Sequence, residues 1–483
     1  MILQSPVVRD VVLLGGGHTH VIVIRKWAMN PIAGVRLTLV SRDALTPYSG
    51  MLPGLVAGHY TVEQSHIDLT RLCRWAGVRF IEDEASGIEP EKNEIEFEQR
   101  PSIGYDILSI DTGGAPRLDN VKGAAEHSVP VKPVHRFYEH WLQIESNATA
   151  SEQGLDIGIV GAGAGGFEIM LAMQHKLAGT ANGGKSQLHK FHWIIRDQVL
   201  SGYPDRVKDI ALRVCEQRNI ECHHGFNVTE VEAGQIRGAN DEVLHLNEVL
   251  WCTEAMAPEW PAKSGLQCDK NGFIEVNDSL QSLSHCNVFA AGDVALQINH
   301  PRPRAGVFAV RQGPVLFNNL QRAVCNRRLR IYQPQKKFLT LLSKGGKTAI
   351  GNKGPLSVAG KWVWRWKDWI DLRFMHRFNR LPKMPDIQKR TLSREFAVEL
   401  HGDSNADLMR CGGCGAKIPW DLVSKILSRQ EIFHHPDQIT GVSKFDDVAM
   451  IKPEAPVIAQ SVDQIRSFLE DPWIFSRIAT VHA

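Results

Sequence analysis

Asp156-Ile157-Gly158-Ile159-Val160-Gly161-Ala162-Gly163-Ala164-Gly165-Gly166-Phe167-Glu168, followed by IMLAMQHKL, sets a complete GxGxxG between an apolar strand and an amphipathic helix. Each glycine in that setting has its own task. The first allows a tight turn, the second lets the backbone approach a pyrophosphate, and the third lets helix and strand close together. The helix start adds N–H donors and the positive end of its dipole. Gly161, Gly163 and Gly166 are therefore candidate dinucleotide contacts. The next strand, His192-Trp193-Ile194-Ile195, ends at Arg196, where an NAD site usually carries a carboxylate. A guanidinium there suits a 2′-phosphate and favours NADPH; a solvated arginine is the open alternative.

An earlier stretch repeats the pattern with departures. Val11-Val12-Leu13-Leu14 runs into Gly15-Gly16-Gly17-His18-Thr19-His20 and then VIVIRKWAM. His20 stands where the third glycine belongs. Gly15, Gly16, Gly17 and His18 are candidates for a second pyrophosphate. After the following strand, Arg36-Leu37-Thr38-Leu39-Val40, Ser41 with Arg42 beside it replaces the acidic residue that usually holds a ribose. Ser41 as a simple strand cap remains the alternative.

A chain of 483 residues is too long for one ordinary core, so several domains are expected. Apolar residues at 43% and charged residues at 22% describe a soluble globular protein. A net charge of +2 excludes the broad basic field of a nucleic-acid binder. No apolar run is long enough to span a bilayer. The N-terminal apolar run ends in glycines and reads as a first strand, not a signal peptide. Nine scattered cysteines, with Cys411 and Cys414 the one CxxC pair, suit reduced thiols and a cytoplasmic address.

Two further landmarks carry a resemblance. A strand at 285–291 closing on Gly292-Asp293 resembles the second FAD motif of the pyridine nucleotide–disulfide oxidoreductase superfamily, whose aspartate bonds the ribityl chain. Asp111-Thr112-Gly113-Gly114-Ala115 resembles its ATG motif, which adds Thr112 and Gly113 to the FAD candidates; the counterpart at 251–255 has Glu254 where glycine is expected. The resemblance implies an α/β protein with two Rossmann-like domains, the FAD domain (1–150 and 281–335) being split by an inserted NAD(P)H domain (151–280). A small α+β interface domain (336–400) would follow. Hydride would pass from NAD(P)H to FAD across the domain interface.

Disulfide reductases of the superfamily place a cysteine pair against the flavin, but residues 48–54, YSGMLPG, contain none. The electron acceptor should therefore be diffusible. PYSGMLPG resembles the type II NADH dehydrogenase branch, in which a glutamate two residues after the GxGxxG lies near the flavin. That residue is Glu168, a candidate proton relay, with a helix-start carboxylate as the alternative. Residues 304–314 read as a helix start facing the flavin ring, whose dipole could stabilise a reduced, anionic flavin. Residues 361–378 hold four tryptophans among basic residues. An interfacial membrane helix, as in the quinone-reducing branch, is one reading. Asp368 and Asp371 interrupt it, so packing on its own domain or in a homodimer is preferred.

From His401 a polar linker leads to Arg410-Cys411-Gly412-Gly413-Cys414-Gly415-Ala416-Lys417. No second ligand pair at zinc spacing follows, since His434 and His435 are adjacent. Cys414-Gly415-Ala416-Lys417, Asp446-Asp447-Val448-Ala449 and Asp463 instead resemble the start of selenide, water dikinase. The resemblance implies Cys414 and Lys417 as catalytic residues, and Asp446 and Asp463 as ligands of Mg²⁺ with ATP. It covers only the N-terminal part of that domain, so 401–483 is expected to be a linker plus a truncated α+β dikinase segment without activity of its own. The expected function is an FAD-dependent NAD(P)H oxidoreductase with a small-molecule acceptor, coupled by fusion to selenium metabolism. A quinone reductase at the membrane periphery with an incidental tail, and a non-catalytic flavin-binding scaffold, are the alternatives.

Overall fold

Parallel strands covered on both faces need unbroken apolar runs, and both glycine motifs are preceded by one. In the first sheet the strands lie in the order Val288–Ala290, Ile107–Ile110, Arg9–Leu14, Val35–Ser41 and Arg79–Glu82, all parallel. Val11 through Leu14 are buried there at 3% exposure or less. One edge strand thus comes from far along the chain, beyond the second glycine motif. The second sheet, also parallel, runs Val129–Pro130, Glu248–Trp251, Asp156–Val160, Lys190–Ile195 and Ile220–His224. These are two Rossmann-like α/β layers, as the sequence implied. The second sheet takes its edge strand Val129–Pro130, and its core the helix Val134–Ala150, from the stretch first assigned to the FAD domain.

The computed structural model describes residues 7–150, 154–180, 189–253, 255–382, 438–440, 448–451, 458–461 and 471–482. The chain divides into two compact units, Met1–Val398 and Glu399–Ala483. Within the first, helix His18–Met29 follows the first turn and lies against helix Gly306–Val324. The approach is closest at Gly313, where a Cβ would come within 2.8 Å of Ile22.

An antiparallel sheet of Thr340–Lys344, Gly346–Lys353 and Leu356–Gly360 leads into the Trp-rich helix Lys361–Asn379. That helix buries Val363, Lys367, Asp371, Phe374, Met375 and Phe378, and exposes Trp362, Trp366, Trp369 and Leu372. It packs on its own unit, but the polarity is inverted from a simple expectation. Asp368 and Asp371 do not interrupt the outer face, because Asp371 is buried and Asp368 accepts from the Tyr60 hydroxyl at 2.6 Å. Phe374 likewise lies on the buried face, away from the tryptophans. Among the described residues no helix is long and apolar enough to cross a membrane.

In the second unit, strands Gln438–Thr440, Val448–Ile451 and Ile458–Ser461 form an antiparallel sheet. Helix Pro472–His482 is capped by Asp471, whose carboxylate accepts from the Trp473 N–H at 3.0 Å. Cys411, Cys414, Lys417, Asp446 and Asp463 lie outside the described residues, as does Glu254.

Candidate active site

The second glycine turn divides its labour as its spacing demands. Gly161 adopts φ +123°, and a Cβ there would meet the Cys252 carbonyl oxygen at 2.4 Å. At Gly166 a Cβ would meet the Gly161 carbonyl oxygen at 2.5 Å, so this glycine lets helix Ala164–Thr180 close on its strand. Gly163 faces open space, with nothing within 4 Å of its Cβ position. An exposed glycine backbone with open space beside a helix N-terminus fits a dinucleotide pyrophosphate. Arg196, at the end of the neighbouring strand, is 72% exposed and donates to Asp197 at 2.7 Å.

The first turn is more crowded. Gly15 adopts φ +99° against the Asp111 backbone. The Asp111 carboxylate accepts from the Thr19 and His20 N–H groups at 2.9 and 3.2 Å, and lies where a Gly17 Cβ would be. Of the four N–H groups a helix start leaves open, this takes two, and those of Gly17 and His18 remain for a phosphate. His20 needs no glycine's room. Its ring is buried, with Nδ1 2.7 Å from the Gly15 carbonyl oxygen and Nε2 2.8 Å from Ser109 Oγ, so it rivets the helix to strand Ile107–Ile110.

Burial raises the Asp111 carboxyl to about 7, although the Thr19 and His20 N–H groups oppose the shift. Near neutrality it is therefore about half protonated, and at pH 6 mostly so, where it offers a pyrophosphate little repulsion. Asp111→Asn is expected to leave FAD retention unchanged at pH 6. Above pH 7 the wild type, now carrying the charge, should release FAD about tenfold faster than the variant, because one pKa unit is about 1.4 kcal/mol. FAD release followed by fluorescence across this range checks it.

At the mouth of the first turn His18 is half-buried, and its Nε2, shielded from solvent, has no hydrogen-bond partner. Burial lowers its pKa to about 4, against the pull of Asp293 and with the help of Lys132, so the ring is neutral. Lys132 donates to Asp293 at 2.9 Å, and the Gly292 N–H donates to Gln312 at 2.8 Å. Gly113, at φ +77°, faces open space beside this group. The start of helix Gly306–Val324 reaches the same place: Ala309 O accepts from Thr19 Oγ1 at 3.1 Å, and no side chain caps the helix. An open cleft runs along Asp293, His300, Arg302, Arg304 and Phe308. An orphaned ring nitrogen, an uncapped helix end and a lysine–aspartate pair around one opening fit a flavin. Ser41 is buried and donates to the Asp43 carbonyl at 3.0 Å, while Arg42 pairs with Asp43 at 2.9 Å and with Glu84 at 3.5 Å. Both side chains of the proposed ribose end are held by local partners.

A partly buried series of polar side chains lies between the two turns. His18 meets Tyr48 edge-on with ring centroids 5.4 Å apart, and burial together with the nearby Asp371 carboxylate pushes the Tyr48 hydroxyl up. Lys367 donates to Asp371 at 2.6 Å and to the Gly50 carbonyl, inside the cysteine-free 48–54 segment. Lys367 also faces Glu168, whose carboxylate accepts from the Ser343 N–H at 2.6 Å. Burial raises Glu168 to about 7, with Lys367 and the Ser343 N–H opposing and Asp371 assisting. Such a group can hold or release a proton near neutral pH. Lys132, Asp111 and Lys367 were not singled out from the sequence, and Asp371 was noted there only as interrupting the Trp-rich helix. The i,i+4 spacing of Lys367 and Asp371 was the available signal for the last two.

Comparisons with known proteins agree with this arrangement. Residues 9–313 match the family model described as pyridine nucleotide-disulphide oxidoreductase. The NADH dehydrogenase-like protein YutJ of Bacillus subtilis is 22% identical over 349 residues, 71% of this chain and 91% of that protein. The solved sulfide:quinone oxidoreductase of Aquifex aeolicus shares the fold at a TM-score of 0.65 and 19% identity, covering 77% of this chain and 91% of that one. A selenide, water dikinase of Desulfitobacterium hafniense is 41% identical over 73 residues, 15% of this chain and 22% of the dikinase, so the chain spans about a fifth of that relative. With its two glycine turns inside the matched region, the chain belongs to the pyridine nucleotide-disulphide oxidoreductase family and is a flavin-dependent NAD(P)H oxidoreductase.

Proposed function

We propose that the chain takes hydride from NAD(P)H seated on the 161–166 turn to FAD seated on the 15–18 turn, and from there reduces a diffusible acceptor of the quinone type. In this reading residues 1–150 and 281–335 serve the FAD, apart from strand Val129–Pro130 and helix Val134–Ala150, which with residues 151–280 serve the nicotinamide nucleotide. The observation that carries it is the pair of glycine turns, with open space at Gly163, and the polar side chains that lie between His18 and Glu168. Bound FAD supplies hydride acceptance and onward electron transfer. The protein's share is to seat, shield and protonate. Gly17, His18 and Gly113 line the flavin's place, Asp293 held by Lys132 meets its ribityl chain, and Glu168 stores the proton that an acceptor needs. Thr112 and Gly292 shape the same wall, and Arg196 would receive a 2′-phosphate, giving NADPH the preference.

The outer face of the Trp-rich helix favours an acceptor from a lipid phase. Trp362, Trp366 and Trp369 are 56, 40 and 55% exposed, next to Lys361, Arg365 and Arg373. Aromatic rings with basic neighbours on one face suit an anionic membrane surface. Replacing the three tryptophans by serine is expected to weaken co-sedimentation with anionic phospholipid vesicles on the order of 100-fold, about 1 kcal/mol per ring. Turnover with a water-soluble quinone should stay as it was.

A second reading, in which the acceptor is a selenium compound, is favoured by the 73-residue likeness to a dikinase. Cys414, Lys417, Asp446 and Asp463 would then belong to a selenophosphate-forming segment needing Mg²⁺, ATP and the rest of a dikinase domain. Anaerobic bleaching of the purified yellow protein by NADH and by NADPH tests the main proposal. Reoxidation by a soluble quinone or by a selenium oxyanion then decides between acceptors. A protein that no nicotinamide nucleotide bleaches would end both readings.

A further inference from the structure

Strands Lys190–Ile195 and Ile220–His224 pair in parallel, with His192 opposite Glu221 and Ile194 opposite His223. Residues two apart on a strand share a face. His192, Glu221 and His223 therefore stand together on one side of the second sheet, away from the face where Trp193 meets Phe167. The distances are specific. His192 Nδ1 lies 3.1 Å from His223 Nε2 and 3.5 Å from Glu221 Oε2, and His223 Nε2 lies 3.9 Å from the same oxygen. Four-coordinate zinc, with bonds of about 2.0–2.1 Å, sets its ligand atoms about 3.3 Å apart, and this triangle brackets that spacing.

The tautomer decides what the triangle is for. His192 Nε2 lies 3.1 Å from Asp156 Oδ1, so that nitrogen carries the proton and Nδ1 presents a lone pair. A carboxylate behind a histidine in this way orients and strengthens the imidazole as a ligand. Without a cation one shared proton between the two rings satisfies only one edge of the triangle, and the Glu221 oxygen still faces a lone pair. A divalent ion satisfies all three edges at once and leaves one position for water.

We propose that His192, Glu221 and His223 bind a divalent transition-metal ion, Zn²⁺ foremost, with Asp156 as the positioning residue behind His192. Two imidazoles and one carboxylate suit borderline cations and not Mg²⁺ or Ca²⁺. The site is separate from the redox centre. His192 pairs with Gly158, three residues ahead of Gly161, and precedes Arg196 by four residues, about 13 Å along the strand. Its effect is to clamp the edge strand Ile220–His224 to the sheet.

The test uses the full FAD-loaded chain carrying Cys411→Ser and Cys414→Ser, so that those thiols cannot capture the probe. Co²⁺ alone should give visible d–d absorption saturating at one equivalent, and Zn²⁺ should displace it. His223→Ala and Glu221→Gln, both at solvent-accessible positions, should weaken Co²⁺ binding about 100-fold, and Asp156→Asn about tenfold. Each variant should keep the parent's metal-free melting temperature and its bleaching by NAD(P)H, which separates lost binding from lost fold. Added Zn²⁺ should raise the melting temperature of the parent most, of Asp156→Asn less, and of His223→Ala and Glu221→Gln least. Absence of d–d bands in the parent, or equal Co²⁺ affinity in His223→Ala, overturns the proposal.

Discussion

Glu168→Gln is expected to slow reoxidation of the reduced protein by a quinone about 100-fold, the scale of a positioned proton donor, and to change bleaching by NAD(P)H less than threefold. The asymmetry follows from what each half-reaction asks of the side chain. Hydride arrives from the nucleotide without needing a protein proton, whereas a quinone leaves as a quinol and takes up protons. A buried carboxyl raised to about 7 can hold one and still release it. Glutamine keeps the shape and the hydrogen bond from Ser343 but has nothing to give. Wild-type reoxidation should also weaken as pH rises through about 7, and the variant should lose that transition. The stability sign is separate and checkable. A carboxyl raised from 4.5 to about 7 contributes stability that is complete below the lower value and is lost as pH climbs through the upper one. The wild type should therefore melt lower at pH 8 than at pH 5, relative to Glu168→Gln. If the two half-reactions slow equally, Glu168 is a structural carboxylate and the proton-storage role fails.

Gly163→Val should give a protein that stays yellow and folded but that NAD(P)H no longer bleaches at working concentrations. The reasoning is steric. Gly161 and Gly166 are pressed against backbone, so side chains there would damage the fold, while the Cβ position of Gly163 points into empty space. Nothing in the protein is displaced by the new side chain. A pyrophosphate that must lie against this backbone is displaced, and an apparent KM increase of at least about 100-fold corresponds to about 2.8 kcal/mol. Melting temperature and FAD content should match the wild type, and rapid-mixing reduction measured against nucleotide concentration reads the effect. Unchanged KM would remove the nucleotide from this turn.

The glycine turns were legible because their demands are local: a positive φ, or a Cβ that has no room, marks the residue whatever the rest of the chain does. Gly292-Asp293 was legible for the same reason. The series of polar side chains between the turns was not. Lys132 reaches Asp293 across 161 residues, a pairing that no local pattern announces. Asp368 and Asp371 read as interruptions of a basic, Trp-rich helix, and Lys367 as one of its basic residues. Yet Lys367 and Asp371 lie inside, with the Gly50 carbonyl accepting from Lys367, and the tryptophans turn out. Asp111 was read as part of a motif flanking the flavin, and only the fold puts its carboxyl across a helix start. The crossover between sheets was placed late because Val129–Pro130 is a two-residue strand, too short to show periodicity.

The Trp-rich helix is a roof with two finished sides. Its outer side offers rings and positive charge, and its inner side supplies Lys367 and Asp371 to the neighbourhood of Glu168. Cutting the chain ahead of residue 361 would therefore flood that carboxylate with water and remove its cation in one stroke. A dead truncation mutant would say nothing about lipid. Only substitutions confined to the weather side can ask whether the protein settles on a bilayer, and they leave the rooms below dry.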